Sequence, residues 1–202
     1  MTSTLSTLTR VYAEHVIMAK KIGKCISNLN PNSKRFWQMK WDSEFSDKIK
    51  DNAGRIYLIV SRAPEVEGAK SPGVIMKIGK SECRGGMKST FSFYQSALGG
   101  SPSIRSFGIH HLINDEMSKG NQVEIYGIWS KPVKVQVPGL FETEEMEVTP
   151  SIHCMEDKCR SDYKKIMGDY PPWNFQERGA PWPEHILELY KAQVAQRGTN
   201  KN

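Results

Sequence analysis

Two short apolar segments, residues 55–60 and 74–81, carry protonatable side chains at matching places. Both read as β-strands, because they are rich in branched apolar residues and are bounded by polar stretches containing Pro and Gly. Tyr57 lies in the first segment and Lys77 in the second, and the loop after the second contains Gly79 and Lys80. A phenol and an amine on facing strands, followed by a glycine and a basic loop, are suited to handling a phosphate group.

The order of several short motifs in the middle of the chain resembles that of the GIY-YIG nucleases. In that family one strand ends in Ile-Tyr and the next carries Tyr-Ile-Gly, and residues 55–57 (Arg-Ile-Tyr) and 77–79 (Lys-Ile-Gly) occupy these places. Arg55 thus stands for the first glycine and Lys77 for the second tyrosine, a lysine that some GIY-YIG restriction endonucleases share. Later segments, ending in residues 170–174 (Tyr-Pro-Pro-Trp-Asn), resemble the phage endonuclease II type in their order.

This resemblance implies hydrolysis of a phosphodiester bond in double-stranded DNA. A carboxylate on a late helix would bind one divalent cation, Mg²⁺ or Mn²⁺. Tyr57 would help to activate the attacking water, and an arginine would neutralise the charge that develops on the phosphate. A lysine held beside a phosphate and a metal can have a lowered pKa, so we expect Lys77 to orient a water or to stabilise charge.

Two acidic residues in the helix predicted after residue 150 compete for the metal-binding role that the resemblance implies. Asp162 lies twelve residues before Asn174, which is about the family's spacing between its glutamate and this asparagine. The family residue is nonetheless a glutamate, and Glu156 would take its place if an insertion lies near residues 168–169. We therefore favour Glu156 and keep Asp162 as the alternative.

Several basic and polar residues are candidates for the remaining roles. Arg84 and Arg105 are both candidates for the arginine, and Lys88 is a third basic alternative. His110 is a candidate base or DNA contact, although one of two adjacent helix histidines usually packs. We expect Asn174 to fix the local backbone rather than to perform chemistry.

The composition indicates a chain that buries one sizeable core and carries excess positive charge. It has 202 residues, of which 38% are apolar, and a formal net charge of +6. Residues 1–50 account for +5 of that charge, which suits contact with a phosphate backbone. There is no run of about 18 apolar residues, no signal-like N-terminus and no disulfide-like framework among the cysteines. We therefore expect no membrane span, and a cytoplasmic protein of a bacterial or phage-infected cell.

The predicted elements indicate an α+β fold, with a small mixed or antiparallel sheet flanked by helices. We predict an N-terminal helical arm over residues 1–53, a GIY-YIG-like core over 54–176, and a C-terminal helix and tail over 177–202. The arm would contain an amphipathic helix over 4–28 and a short helix within 33–53. The other predicted elements are strands over 55–60, 74–81, 122–129 and 133–137, helices over 88–98, 104–119, 151–167 and 184–197, and a solvated loop over 141–148.

Three classes of function remain open from the sequence. The first is a metal-dependent DNA endonuclease, favoured by Tyr57, Gly79 and the helix acids. The second is a non-catalytic DNA-binding protein on a degenerate GIY-YIG scaffold, which the lysine at position 77 motivates. The third is an interaction protein whose basic N-terminal helix does the main work. A monomer with one site would nick DNA, so double-strand cutting requires a homodimer or a higher assembly, for which the helix over 4–28 is a candidate interface.

Overall fold

The chain folds, as predicted, into an α+β structure in which helices flank an antiparallel sheet. The computed structural model describes residues 11–30, 32–33, 35–45, 55–130 and 132–199. The strands are β1 (Lys20–Ser27), β2 (Trp37–Trp41), β3 (Ile56–Arg62), β4 (Val74–Lys80), β5 (Gln122–Ile128), β6 (Val133–Pro138) and β7 (Thr143–Val148). The helices are α1 (Gly86–Gln95), α2 (Ile104–Ser118), α3 (Ile152–Met167), α4 (Phe175–Arg178) and α5 (Glu184–Thr199).

The main sheet has five strands in the order β2-β1-β5-β3-β4, each antiparallel to its neighbour. β3 is buried along its whole length, because helices cover both faces of the sheet at this strand. α1 and α2 cover one face, with α5 packed on α2, and α3 covers the other. Because side chains alternate between faces, the successive residues Tyr57 and Leu58 lie in different cores.

A short segment after α3 covers the sheet edge formed by β4. The backbone N–H of Trp173 donates to the Met76 carbonyl at 2.8 Å. The side chain of Asn174 accepts from the Ile78 N–H and donates to the Ile78 carbonyl, both at 2.9 Å. Asn174 therefore satisfies edge groups of β4 that would otherwise be unpaired, and its predicted role in fixing the backbone agrees with these contacts.

The helix predicted over residues 4–28 is wrong where the structure describes it, because β1 occupies most of its second half. A β-bulge shifts the pairing of β1 with β5 between Lys21 and Gly23. The bulge lets Ile22 and Cys25, three residues apart, enter the same core. A three-residue spacing of apolar residues is also typical of one face of a helix. The bulge therefore gives this strand a sequence pattern that predicts a helix.

The short helix predicted within residues 33–53 is also wrong over the part described, where β2 precedes a 3₁₀ turn at Ser43–Phe45. In β2 the large apolar residues Trp37, Met39 and Trp41 alternate with polar ones, which is the period of a strand. Trp37 is completely buried beneath α2, and this burial fixes the strand to the core.

Parts of the predicted N-terminal arm lie outside the described residues, namely 1–10, 31, 34 and 46–53. What is described of the arm beyond residue 19 joins the main sheet through the pairing of β1 with β5. The division of the chain at residues 53 and 176 stays a prediction.

A separate hairpin, β6–β7, corrects the expectation of a solvated loop over residues 141–148. The strand predicted over 133–137 is present as β6, but it pairs with β7 rather than with the main sheet. In β7 the apolar residues Met146 and Val148 alternate with glutamates, which is the period of a strand. The high glutamate content predicted a loop because this alternation was not recognised.

The four helices predicted after residue 80 are present, with boundaries that differ by at most three residues. Ser103 caps α2, because its hydroxyl accepts from the Ser106 N–H at 3.2 Å. α3 ends at Gly168, which adopts a left-handed conformation with φ of 81°. Within the described ranges no helix is both long and apolar enough to cross a bilayer.

Candidate active site

A polar cleft of about 660 Å³ opens where β3 and β4 meet α2, α3 and the segment after α3. Six of the sequence-predicted residues line it together. They are Tyr57, Lys77, Gly79, Lys80, Arg105 and Glu156. The antiparallel pairing of β3 with β4 places Tyr57 opposite Gly79 and Ile59 opposite Lys77, so Tyr57 and Lys77 are directed to the same side of the sheet. This arrangement on adjacent strands is the one predicted.

Gly79 is required by the position of Tyr57. A Cβ atom added at Gly79 would overlap the ring and hydroxyl of Tyr57, which lies across the glycine. The Tyr57 hydroxyl shares a hydrogen bond of 2.7 Å with the hydroxyl of Tyr94 from α1. Its ring packs edge-on against Phe91 at 5.2 Å between centroids. These contacts hold the phenol rigidly at the inner end of the cleft.

Both tyrosines of this pair hold their protons firmly. Burial raises the pKa of Tyr57 well above its usual range, and the neighbouring Tyr94 raises it further. Burial likewise raises the pKa of Tyr94. The pair therefore acts as a source of hydrogen bonds at neutral pH, since neither phenol ionises readily.

Burial moves the pKa of Lys77 toward neutral pH, whereas it moves those of Tyr57 and Tyr94 away from it. Desolvation of its half-buried side chain lowers its pKa to about 8. Glu177 raises this pKa and Arg105 lowers it, and Glu156 and Arg160 add smaller effects of opposite sign. Lys77 can therefore exchange a proton under physiological conditions.

Glu156 supplies a carboxylate to the cleft from the first half of α3. The residue is 8% exposed, and its Oε2 atom lies 3.5 Å from both Lys80 Nζ and Arg160 Nη2. The side chain thus faces the cleft in long ion pairs with two of its basic residues.

The structure does not bring Asp162 to this cleft. Six residues along a helix correspond to a rotation of about 240° from Glu156, so Asp162 lies on another face of α3. Its carboxylate is 57% exposed, pairs with Lys158 and borders a different, apolar cavity. Of the two metal-ligand candidates, only Glu156 lies among the other predicted residues.

The basic candidates separate in the same way. Arg105, in the first turn of α2, lines the cleft and donates to Gln176 at 3.2 Å. Arg84 and Lys88 are exposed and do not line it. The sequence analysis missed Arg160, whose position four residues after Glu156 was the available signal, because that spacing places both on one helix face.

His110 is a packing residue rather than a member of the cleft. Its ring stacks on Trp37 at 5.4 Å between centroids, and its Nδ1 donates to the Tyr94 carbonyl at 2.9 Å. Desolvation lowers the pKa of His110 to about 4, so the ring is neutral at pH 7. Its sequence-based roles as base or DNA contact find no support in this position.

The donor set suits a metal that needs few protein ligands. Among the described residues no group of three or more His, Cys, Asp or Glu side chains is arranged to hold a metal ion. Mg²⁺ keeps several waters and commonly takes only one or two carboxylates, with the remaining positions filled by substrate oxygens. Glu156, whose carboxylate faces the cleft in only long ion pairs, fits that requirement.

Comparison with known proteins gives one distant structural likeness. No family model matches the sequence, and no curated protein matches it. The fold is similar to that of restriction endonuclease HPY188I, solved in complex with product DNA, with 14% sequence identity and a TM-score of 0.39. The similarity covers 83% of this chain and 86% of that chain. A likeness this distant supports no conclusion about function. The function proposed below depends on the residues of the cleft.

Proposed function

We propose that this chain is a metal-dependent DNA endonuclease that hydrolyses a phosphodiester bond in the polar cleft. The observation that carries the proposal is that three chemically different groups line one polar cavity. They are the carboxylate of Glu156, the amine of Lys77, whose pKa is about 8, and the rigid phenol of Tyr57. The order of the sequence motifs supports the same reading, because these residues occupy the places that the GIY-YIG resemblance assigns to chemistry.

Three cations of the cleft suit a phosphate-bearing substrate. Lys80, Arg105 and Arg160 approach it from β4, α2 and α3. Among the described residues Arg105 makes one hydrogen bond, to the neutral Gln176, so its charge is available to an incoming phosphate. We assign it to the charge that develops during hydrolysis, a role that fixed cations perform effectively in a partly desolvated site.

Lys77 is the group best suited to accept the proton of the attacking water. A base works best when its pKa is close to the working pH, and the pKa of Lys77 is about 8. Tyr57 keeps its proton, so its hydroxyl would orient the water or a phosphate oxygen. This assigns the acid–base role to the lysine and a positioning role to the tyrosine.

Glu156 would hold Mg²⁺ or Mn²⁺ at the cleft wall. A bound divalent cation supplies charge neutralisation at the phosphate and a lowered pKa for a coordinated water. Arg160 is held by Asp157 at 2.5 Å and by Glu177, and its position beside Glu156 fixes the carboxylate's orientation. Arg160 is thus a positioning residue for the metal ligand.

The test is conversion of supercoiled plasmid in Mg²⁺ and in EDTA, with Glu156→Gln and Asp162→Asn compared. Wild type should cut only with the metal, and Glu156→Gln should be about a thousandfold slower while still binding DNA. Asp162→Asn, on the same helix but away from the cleft, should cut normally. Equal activity of both variants, or cleavage in EDTA, would contradict the proposal, and a wild type that binds but never cuts would establish the non-catalytic alternative.

A further inference from the structure

The hairpin β6–β7 presents an apolar face that nothing in the described chain covers. Pairing in the hairpin places Val133 beside Val148 and Val135 beside Met146 on one face. Each of these four side chains is between 38% and 50% exposed. A strand pair with one apolar face is the pattern of a half-buried sheet, so the sequence is built for a contact that this monomer does not make.

The turn of the hairpin carries two further exposed apolar side chains. Leu140 and Phe141 are 94% and 98% exposed, the highest values for large apolar residues in the described chain. The turn is closed by a 2.8 Å hydrogen bond from the Gly139 N–H to the Glu142 carbonyl. These two side chains add exposed apolar area at the end of the hairpin.

The hairpin lacks support from the rest of its own chain. It makes no extended packing contact with any other helix or strand among the described residues. An isolated two-stranded hairpin is marginally stable at best in water. A further layer on its apolar face would supply the missing stabilisation.

The charges of the hairpin select the kind of partner. Between residues 133 and 148 it carries one lysine and four glutamates, which disfavour contact with a phosphate backbone or an anionic membrane. Lys134, Gln136, Glu145 and Glu147 lie on the face opposite the valines, so two apolar faces can meet without bringing these charges together. Glu144, opposite Val137 near the turn, lies at the end of the apolar face, where it can remain in contact with water.

We propose that the apolar face of β6–β7 packs against the same face of a second copy of this chain, forming a two-fold homodimer. An apolar face whose charges lie on its back can pack against a copy of itself, as an isologous interface requires. Two such hairpins would form a small sandwich of two sheets. This places the interface in the hairpin, instead of in the N-terminal segment that the sequence suggested.

The dimer would supply the second active site that double-strand cutting needs, and this consequence alone rests on the proposed function. One cleft per chain cuts one strand, whereas two clefts related by a two-fold axis suit the two antiparallel strands of a duplex. The association itself follows from the hairpin and is independent of catalysis.

The test is sedimentation velocity of the full chain over roughly 1–100 µM, with two matched double variants. Val135→Thr with Met146→Thr makes one directly paired set of the apolar face polar while keeping strand propensity. Gln136→Thr with Glu145→Thr changes the adjacent pair on the opposite face. Thermal unfolding and circular dichroism check that both variants fold, which is the expected result for a hairpin outside the core.

Wild type and the opposite-face control should be dimers, and the apolar-face variant should dissociate at concentrations at least about tenfold higher than wild type. Wild type that is monomeric throughout, or an apolar-face variant that dimerises like wild type, would overturn the proposal. A dimer that fails to cut DNA would leave it intact and contradict only the proposed function. A monomeric variant that nicks plasmid but has lost at least about tenfold of its linear product would support both.

Discussion

Two cavities with opposite chemistry are built on the same three elements. β3, β4 and α3 each send side chains to both, because successive residues of a strand point to opposite faces. The cleft of about 660 Å³ receives Tyr57, Lys77 and Glu156. The cavity of about 390 Å³ on the other face receives Leu58 and Ile78, the next residues after the tyrosine and the lysine.

The difference shows how the fold separates chemistry from stability. On α3, Glu156 and Arg160 face the cleft, while their neighbours Met155 and Cys159 line the apolar cavity. The second core also fixes the positions of β3, β4 and α3 relative to one another. Substitutions toward the cleft should therefore change cleavage, and those toward the apolar cavity should change stability.

After the loss of about a thousandfold expected for Glu156→Gln, the next largest effect is that of Lys77→Met, compared with Lys158→Met at the rim of the apolar cavity. Methionine keeps most of the apolar stem and removes the amine, so single-turnover cleavage should fall about 100-fold. Affinity for uncut DNA, titrated at one salt concentration in EDTA, should change by less than about threefold, because many basic residues share the backbone contacts.

The control Lys158→Met should change neither quantity, since Lys158 is exposed and paired with Asp162 away from the cleft. Equal losses of binding and cleavage for Lys77→Met would identify Lys77 as an ordinary phosphate contact. No loss of binding or of cleavage would show that Lys77 has only a structural role. Substitutions toward the cleft would then not differ from those toward the apolar cavity in the way proposed.

A smaller effect, on stability instead of on cleavage, is expected for Ile75→Val. Ile75 is 1% exposed and lines the apolar cavity, so removing one methyl group should lower the free energy of unfolding by about 1 kcal/mol. Urea denaturation measures this loss, and cleavage per folded molecule should be unchanged. A large loss of cleavage at full stability would show that the two faces are not separable.

The smallest effect is expected for Arg84→Gln. Arg84 is exposed and outside the cleft, so cleavage should change by less than about twofold, as for most surface substitutions. Arg105→Gln, assayed beside it, should be much slower. A reversal of this order would return Arg84 to the role of charge-neutralising arginine.

The strand pair and its site residues were predictable from the sequence, because their signals are local. The segments around Tyr57 and Lys77 are short, apolar and bounded by polar stretches that contain Pro and Gly. The order of the motifs then indicated which side chains were candidates for the site. β1 was not predictable, since the bulge between Lys21 and Gly23 replaced a strand period with a helical one. Local periodicity cannot reveal a bulge that depends on pairing with a distant strand.

The choice among candidate site residues depended on long-range geometry. Glu156 and Asp162 share one helix, and only the packing of α3 on β4 decides which of its faces borders the cleft. Arg105 reaches the cleft because α2 packs across the sheet, although Arg84 is nearer to Lys77 in sequence. Neither distinction can be deduced from the spacing of the residues along the chain.

The dependence of single-turnover cleavage on pH tests the central claim, that Lys77 accepts the proton of the attacking water. Because the pKa of Lys77 is about 8, the amine is mostly protonated below that pH and cannot act as a base. The rate should therefore rise with pH up to about 8 and level off above it, and Lys77→Met should lose this inflection. A wild-type rate that falls as pH passes 8, as expected if the charged ammonium were the active form, or an inflection that survives in Lys77→Met, would contradict the account.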